Sequence, residues 1–412
     1  MIRQCIRRPW GLHWARSWLR RWNGGVLIAL LSTPVLAVDY QINGFVAQGF
    51  AYSDGNNYFG ESTEGSFDLR EIGLGASAQL TDRLLVSGSI LSRRNGDTGD
   101  DDPEIDYLLA DYQLIKADAG LVGVRAGRVR NPIGFYNESR DVVFTRPSIT
   151  LPSSIYFDGR GFRDFQFSSD GGQLYGVLPH HEDQVLSLDL VYGKDVEGSD
   201  ATRRALFGTT DVPVDLEFSD NYFLRVKNSW FSGTIVAALS YLHTTLEFES
   251  DGTIPFPAGE LEAELYVASL AYNAEKYSLT AEYGVTESNF VIGPIESKNY
   301  SDGGYLQGEY RFRPQWSAFL RLDGSFSSRN DRDGRDFKKA TGFSRYSQFG
   351  RDTTIGARWK VRENLELLGE YHHISGFSTA PIADNRGMTR EDGSDLLLLM
   401  VAWRFHYDSR AR

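Results

Sequence analysis

The fold is decided by the stretch Tyr277-Ser278-Leu279-Thr280-Ala281-Glu282-Tyr283-Gly284-Val285-Thr286. Its odd positions are apolar or aromatic, and its even positions are polar or glycine. A period of two residues is typical of a β-strand whose two faces meet different surroundings. The same alternation recurs at 186–192, 306–312, 316–323 and 354–360, and helical periodicity is absent after residue 37. The sequence therefore predicts an all-β protein.

The connections between these segments alternate in length. Short polar turns fall near 81–83, 117–119, 179–183, 228–233, 273–276, 313–315 and 362–364. Longer loops rich in Gly, Asp, Ser and Asn fall near 53–64, 94–103, 131–164, 195–216, 250–259, 290–301, 328–348 and 377–392. Fifteen connections predict 16 strands, with the short turns at one end and the long loops at the other.

This arrangement predicts a transmembrane antiparallel β-barrel over residues 38–412, with about 16 strands, short periplasmic turns and long extracellular loops. The barrel must close because lipid cannot satisfy the backbone groups of an open sheet edge. A count of 14 or 18 stays open, since the first and sixth strands, near 40–52 and 165–178, alternate poorly. A soluble sandwich, propeller or β-helix would also alternate, but gives no reason for the regular change in connection length.

Composition agrees with this interpretation. A hydrophobic content of 41% is too low for a helical membrane protein and too high for a disordered chain. The single cysteine, Cys5, excludes a disulfide framework. Residues 1–23 carry six arginines and no acid, an apolar run follows at 26–36, and Val35-Leu36-Ala37 fits a cleavage site. We therefore expect residues 1–37 to be a Sec-type signal peptide. Without those arginines the chain is strongly acidic, which argues against nucleic-acid binding.

The last predicted strand places Leu397, Leu399, Val401, Trp403 and Phe405 two residues apart. This resembles the C-terminal signature of Gram-negative outer-membrane barrels. The resemblance implies that Val401, Trp403 and Phe405 are recognised by the outer-membrane assembly machinery, and it implies contact with outer-membrane lipids and lipopolysaccharide. Residues 406–412 are expected to form a short periplasmic tail.

The longest predicted connection is the third loop, at 131–164. The segment Gly127-Arg128-Val129-Arg130-Asn131-Pro132-Ile133-Gly134-Phe135-Tyr136-Asn137-Glu138 resembles the strand-to-loop transition of the phosphate-selective porins. Porins with 16 strands are trimers that fold the third loop into the barrel. The resemblance implies a homotrimer, a pore constricted by this loop, and a preference for anions or phosphate. The expected constriction residues are Arg125, Arg128, Arg130, Glu138, Arg140, Asp141, Arg146, Asp158, Arg160 and Arg163. Alternatively, the loop is solvated or covers the trimer, and its charges pair with one another.

Strand parity predicts which charges line the pore. A charged side chain on the lipid face costs about 2 to 4 kcal/mol at the bilayer centre, so each charge should point inward. The expected wall residues are Arg225, Lys227, Glu282, Glu309, Arg311, Arg321, Asp323, Arg358 and Lys360, and parity also places Glu262 and Glu264 inside. Because both signs occur, the pore should be a weakly selective diffusion channel.

Catalytic and metal sites are not predicted. His243 and Ser240 face opposite sides of one strand, and the adjacent His372 and His373 also point apart. A phosphate-binding glycine loop is absent, so we expect no cofactor. Two functions stay open. One is a non-enzymatic porin that passes small hydrophilic or ionic solutes, and the other is a binding or adhesion barrel with a blocked lumen.

Overall fold

The computed structural model describes residues 38–99, 101–156, 166–181, 183–250, 252 and 257–410. The predicted signal peptide, residues 1–37, lies outside the described residues, as do Asp158, Arg160 and Arg163. Residues 39–412 form one compact unit.

The unit is a closed antiparallel β-barrel of 16 long strands, so the predicted fold class is confirmed. Consecutive strands pair with each other, and the last strand pairs with the first from Gln41 opposite Asp408 to Ser53 opposite Leu396. A further two-residue strand, Val196–Glu197, lies in a long loop. The 16 strands are β1 (Asp39–Ser53), β2 (Ser66–Thr81), β3 (Leu84–Asn95), β4 (Glu104–Ala117), β5 (Gly120–Arg130), β6 (Ser168–His181), β7 (Gln184–Gly193), β8 (Val214–Trp230), β9 (Ile235–Ser250), β10 (Gly259–Asn273), β11 (Tyr277–Ile292), β12 (Ile295–Arg313), β13 (Trp316–Phe326), β14 (Phe349–Arg362), β15 (Leu365–Ser375) and β16 (Gly393–Asp408).

Short helices occur among the described residues at α1 (Ser153–Tyr156), α2 (Asp200–Phe207) and α3 (Arg335–Thr341). Single 3₁₀ turns occur at Asn137–Ser139, Val143–Thr145, Phe231–Gly233, Arg345–Gln348 and Ala383–Asn385. In the described part of the chain, no helix has the length and apolar character needed to cross a membrane.

The strands present an apolar face outward. In β11, Leu279 and Tyr283 are 49% and 43% exposed, whereas Thr280 and Glu282 between them are buried. Leu397, Leu399, Val401, Trp403 and Phe405 of β16 also lie exposed on this outer face. An apolar outer face and a closed ring of paired strands are what a bilayer requires of a barrel.

The predicted loop at 290–301 is wrong. β11 ends at Ile292 and β12 begins at Ile295, so the connection is a two-residue turn in which Gly293 has φ +55°. The two strands remain paired throughout, with Phe290 opposite Ser297. This end of the hairpin carries polar residues on both faces, so the alternation that marks a strand in the sequence is lost.

The predicted tail at 406–412 is also too long. β16 continues to Asp408, and His406 pairs with Asn43 of β1. The last strand passes beyond Phe405 because β1 begins at Asp39 and offers backbone partners there. In the described part of the chain, only Ser409 and Arg410 follow the strand.

Two apolar clusters lie inside the ring of strands, and both include residues of loop 3, the connection 131–167 between β5 and β6. Cluster 1 joins Val143 and Ile149 of the loop to inward side chains of β1, β2, β15 and β16. Cluster 2 joins Ile133, Ile155 and Tyr156 to inward side chains of strands from β5 to β12. Loop 3 is therefore packed against two different parts of the inner wall.

Candidate pore constriction

The base of loop 3 is closed by a buried amide. The side chain of Asn137 donates to the carbonyl oxygens of Asn131 and Gln166, both at 2.9 Å. Nearby, the guanidinium of Arg130 donates to the Glu138 carbonyl and contacts Asp106 of β4. These contacts join the outgoing and returning limbs of the loop where they leave the strands.

The outgoing and returning limbs of the loop are both anchored at Glu282 of β11. The Tyr156 hydroxyl donates to one carboxylate oxygen at 2.6 Å, and the Phe135 backbone N–H donates to the other at 2.9 Å. Ser269 and Tyr305 of the wall complete the set with hydroxyl donors at 2.6 and 2.7 Å. Every hydrogen-bond partner of Glu282 in the described part of the chain is thus uncharged. We call this set the Glu282 anchor.

Gly134 allows this approach. Its φ is +54°, and its N–H donates to Ser240 of β9 at 3.0 Å. A Cβ atom at this position would lie 2.2 Å from the Tyr156 hydroxyl oxygen and 2.6 Å from a Glu282 carboxylate oxygen. The backbone conformation and the close contact both require glycine.

The middle of the loop is anchored at Glu71 of β2. Arg146 donates to both carboxylate oxygens of Glu71, at 2.9 and 2.6 Å. Arg93 of β3 lies 3.4 Å from the same carboxylate. The side chains of Arg146 and Glu71 are only 6% and 2% exposed, so this bidentate ion pair is almost fully desolvated. We call it the Glu71 anchor.

The returning limb follows the wall from β15 to β13. The Ile149 N–H donates to Glu370 of β15. Arg321 of β13 donates to the Ser148 hydroxyl and the Thr150 carbonyl, both at 2.9 Å. Ser153 then donates its backbone N–H to Asp323 at 2.7 Å. Loop 3 therefore contacts inward-facing side chains of strands on several sides of the barrel.

Several of the expected site residues lie together around this loop. Arg225 contacts Glu138 of the loop at 2.5 Å and Asp189 of β7 at 2.9 Å. Arg125 pairs with Asp111 of β4 at 2.8 Å, below the loop base. Arg140 and Asp141 are buried within the loop, where Arg140 donates to the Tyr156 carbonyl at 2.9 Å.

Other charges lie where the sequence did not predict them. Arg128 is on the outer face, where it is 3.5 Å from Asp170 and opposite the exposed Leu108. It is three residues from Arg125, and an odd separation reverses the face in a strand. Glu262 and Glu264 are also outward, because Val267 and Ser269 of the same strand are buried inside. The inner face of β10 packs in cluster 2, so its carboxylates are left outside.

Two cavities lie on either side of Arg146. The loop-end cavity, of about 130 Å³, extends among loop 3, loop 1 (54–65) and loop 8 (376–392), and four arginines and three carboxylates line it. The turn-end cavity, of about 300 Å³, lies towards the short turns. Its charged lining residues are Arg146, Arg311, Arg313, Arg358, Lys360 and Glu309. The remaining expected wall residue, Lys227, is half-buried on the inward face of β8.

Sequence reasoning missed Glu71 and Arg93. Parity alone could have placed Glu71 inside, because it alternates with the apolar Ile72 and Leu74, which are exposed on the outer face. The adjacent residues His372 and His373 of β15 point to opposite faces of the strand, as strand geometry requires. His372 is buried 2.8 Å from Asp352 and 3.3 Å from Glu370, while His373 contacts Asp395 at 2.7 Å on the other face. Among the described residues, no group of three or more His, Cys, Asp or Glu is arranged to hold a metal ion.

No known protein family matches the sequence, and no curated protein matches it. Solved structures do match in shape. The outer membrane channel DcaP of Acinetobacter baumannii has a TM-score of 0.57 at 13% identity, covering 89% of this chain and 97% of that one. An anion-selective porin from Comamonas acidovorans has a TM-score of 0.53 at 12% sequence identity, and the match covers 89% of this chain and 100% of the porin. OmpT of Vibrio cholerae, in its trimer form, has a TM-score of 0.53 at 11% sequence identity, and the match covers 90% of this chain and 100% of OmpT. At these identities the likeness concerns architecture, and the chain has the 16-stranded barrel fold of the outer-membrane porins.

Proposed function

We propose that this chain is an outer-membrane porin of a Gram-negative bacterium, a water-filled channel for the passive diffusion of small hydrophilic or ionic solutes. The observation that carries the proposal is a closed barrel with an apolar outer face and charge-lined cavities on both sides of loop 3. A barrel of 16 strands is wide enough to hold an aqueous lumen. The residues of loop 3 and the facing wall would then form the constriction.

The remaining parts of the proposal follow from this assignment. Residues 1–37 would direct export through the Sec pathway, and Val401, Trp403 and Phe405 would be read by the assembly machinery. The mature barrel would sit among outer-membrane lipids and lipopolysaccharide as a homotrimer. The short turns would face the periplasm and the long loops the exterior.

The charges of the turn-end cavity favour anions. Five cationic side chains and one carboxylate line it, and Arg146 also lines the loop-end cavity. A solute that passes Arg146 therefore meets an excess of positive charge towards the short turns. Fixed charges at a narrow part of a channel set its ion preference. The proposed channel is anion-preferring, and phosphate is one candidate solute.

Planar-bilayer recordings test this proposal. Purified protein should form open channels whose reversal potential in a salt gradient shows anion preference. Lys360→Glu should lower the anion-to-cation permeability ratio by about twofold, because it replaces an exposed cation of the turn-end cavity with an anion. The matched control is Lys298→Glu, in the exposed end of the β11–β12 hairpin, and it should leave the ratio unchanged. Protein that inserts but carries no current would contradict the channel function.

A second candidate is a binding or adhesion barrel with a blocked lumen. It is favoured by the two apolar clusters that hold loop 3 inside the ring. Swelling of proteoliposomes in sugar solutions separates the candidates, because only a diffusion channel admits the sugar. An impermeable barrel whose long loops bound cells or matrix would support the second.

A further inference from the structure

The loop-end cavity combines cationic groups with apolar surface. Leu69, Ile149, Ile374 and Leu396, all members of cluster 1, form part of its lining, and Arg146 and Arg321 form another part. The turn-end cavity has no comparable aliphatic lining in the described part of the chain. An inorganic ion would gain nothing from the apolar part of the loop-end cavity, whereas an organic anion would use both parts.

Arg146 and Arg321 each have a hydrogen-bond donor that is not used by the described residues. Their side chains are almost fully buried, and their Nε–H groups have no hydrogen-bond partner among the described residues. A buried donor without a partner is costly, and such groups are few in native proteins. A carboxylate can accept from guanidinium donors, and the charge strengthens the hydrogen bond.

Phe59 of loop 1 also lines this cavity. Its φ is +64°, a left-handed conformation that is unfavourable for a bulky side chain. Such strain persists only where the surroundings enforce it, often at ligand sites. Here the strained backbone holds an aromatic ring against cluster 1 and the cavity.

We propose that the loop-end cavity is a binding site for a small organic monoanion with an apolar body, such as an aromatic carboxylate. The carboxylate would lie towards Arg146 and Arg321, and the apolar body would lie against Phe59 and the aliphatic residues of cluster 1. This inference rests on the proposed channel function, and it adds that the channel holds one class of solute before passing it.

The test uses benzoate as the probe and the whole detergent-purified barrel. Isothermal titration calorimetry should show benzoate binding about tenfold more tightly than acetate, which lacks the apolar body, and than benzamide, which lacks the charge. Inorganic phosphate should bind no better than acetate. In bilayers, benzoate should reduce the chloride current in a saturable way at concentrations where acetate has no effect.

Phe59→Gly is the diagnostic variant because it removes the ring, while glycine adopts the positive φ of this position without strain. We expect benzoate affinity to fall about tenfold, while acetate binding stays unchanged. The control is Phe343→Gly, at a 71% exposed phenylalanine outside the cavity lining, and it should bind benzoate like the wild type.

The outcomes separate the two proposals. Benzoate that binds no tighter than acetate or benzamide, or that binds Phe59→Gly unchanged, would overturn the binding site while bilayer currents still supported the channel. Calorimetric binding of benzoate to a barrel that carries no current would support the site and contradict the channel.

Discussion

Glu71 and Glu282 are two of the wall carboxylates that hold loop 3, and their hydrogen-bonding needs are met in opposite ways. Glu71 meets the guanidinium groups of Arg146 and Arg93. Glu282 meets only hydroxyl groups and a backbone N–H among the described residues. Both side chains are 2% exposed, so burial does not distinguish them.

The difference lies in how each anchor can fail. Removing one partner of a buried ion pair leaves an uncompensated charge, which costs about 3 to 5 kcal/mol. Removing one of several neutral donors costs about 1 to 3 kcal/mol, since the other donors remain. The Glu71 anchor therefore depends on charge, and the Glu282 anchor depends on the fit of Gly134, Phe135 and Tyr156 around one carboxylate.

The largest expected effect is that of Arg146→Met. The change leaves Glu71 buried with only Arg93 beside it, so we expect a loss of about 3 kcal/mol in the interaction that holds the middle of loop 3. The released limb should become sensitive to protease, and the single-channel conductance should rise. Limited proteolysis with identification of the cut site, together with bilayer recordings, checks both effects.

Two variants control for this result. Arg313→Met removes an exposed arginine of the turn-end cavity and should leave the protease sensitivity of loop 3 unchanged. Glu71→Gln combined with Arg146→Met removes both charges of the bidentate pair and should recover part of the loss. An Arg146→Met barrel with wild-type conductance and protease resistance would show that the apolar contacts of cluster 1 suffice.

Gly134→Ala tests the Glu282 anchor through its geometry. The added Cβ would lie 2.2 Å from the Tyr156 hydroxyl oxygen, and the backbone would be held at φ +54°. We expect a cost of about 2 kcal/mol and a smaller rise in conductance than Arg146→Met gives. Gly387→Ala is the matched control, since its φ is +75° but nothing lies within 4 Å of a Cβ there. Equal effects in the two variants would mean that backbone strain, and not the Glu282 contact, is responsible.

Much of this architecture could be predicted because alternation is a local property. A period of two residues indicates the faces of a strand, which is how Glu282, Arg225 and Arg321 are assigned to the inside. The rule that every charge of a strand points into the barrel fails at strand ends and where the inner face of a strand is apolar. Arg128 lies near the end of β5, and Glu264 lies on a strand whose inner face packs against other apolar residues, so neither charge points inward.

The anchors themselves could not be predicted from sequence. Arg146 and Glu71 are 75 residues apart, and Ile149 and Glu370 are 221 apart. No periodicity relates residues at such distances, because their contact depends on where the closed barrel places β2 and β15 around the loop. Charges in loop 3 suggested a constriction, but the choice of partners follows from the three-dimensional ring.

A third buried carboxylate, Asp384 of loop 8, extends the comparison to the mouth of the barrel. It is 6% exposed and accepts the Asp97 backbone N–H at 2.7 Å, and it has no ion-pair partner among the described residues. Burial raises its pKa to about 6, although backbone N–H groups of Asp97, Gly60 and Phe59 oppose the change. Unlike Glu71, this carboxyl group is thus more favourable when protonated.

The sign of the pH effect follows from that raised pKa. The packing of loop 8 against loop 1 and loop 2 (96–103) should be strongest below the ordinary aspartate pKa and should weaken as the pH rises through about 6. Protection of residues 57–60 from hydrogen exchange, corrected for the intrinsic rate, should therefore be greater at pH 5 than at pH 7. Asp384→Asn should abolish this dependence, and Asp336→Asn, at an exposed carboxylate of α3, should preserve it. Asp384→Asn should change the conductance less than Arg146→Met or Gly134→Ala does, because neither the Glu71 anchor nor the Glu282 anchor involves Asp384. Protection that increased with pH would instead mean that the backbone N–H groups stabilise a charged Asp384, as Arg146 stabilises Glu71.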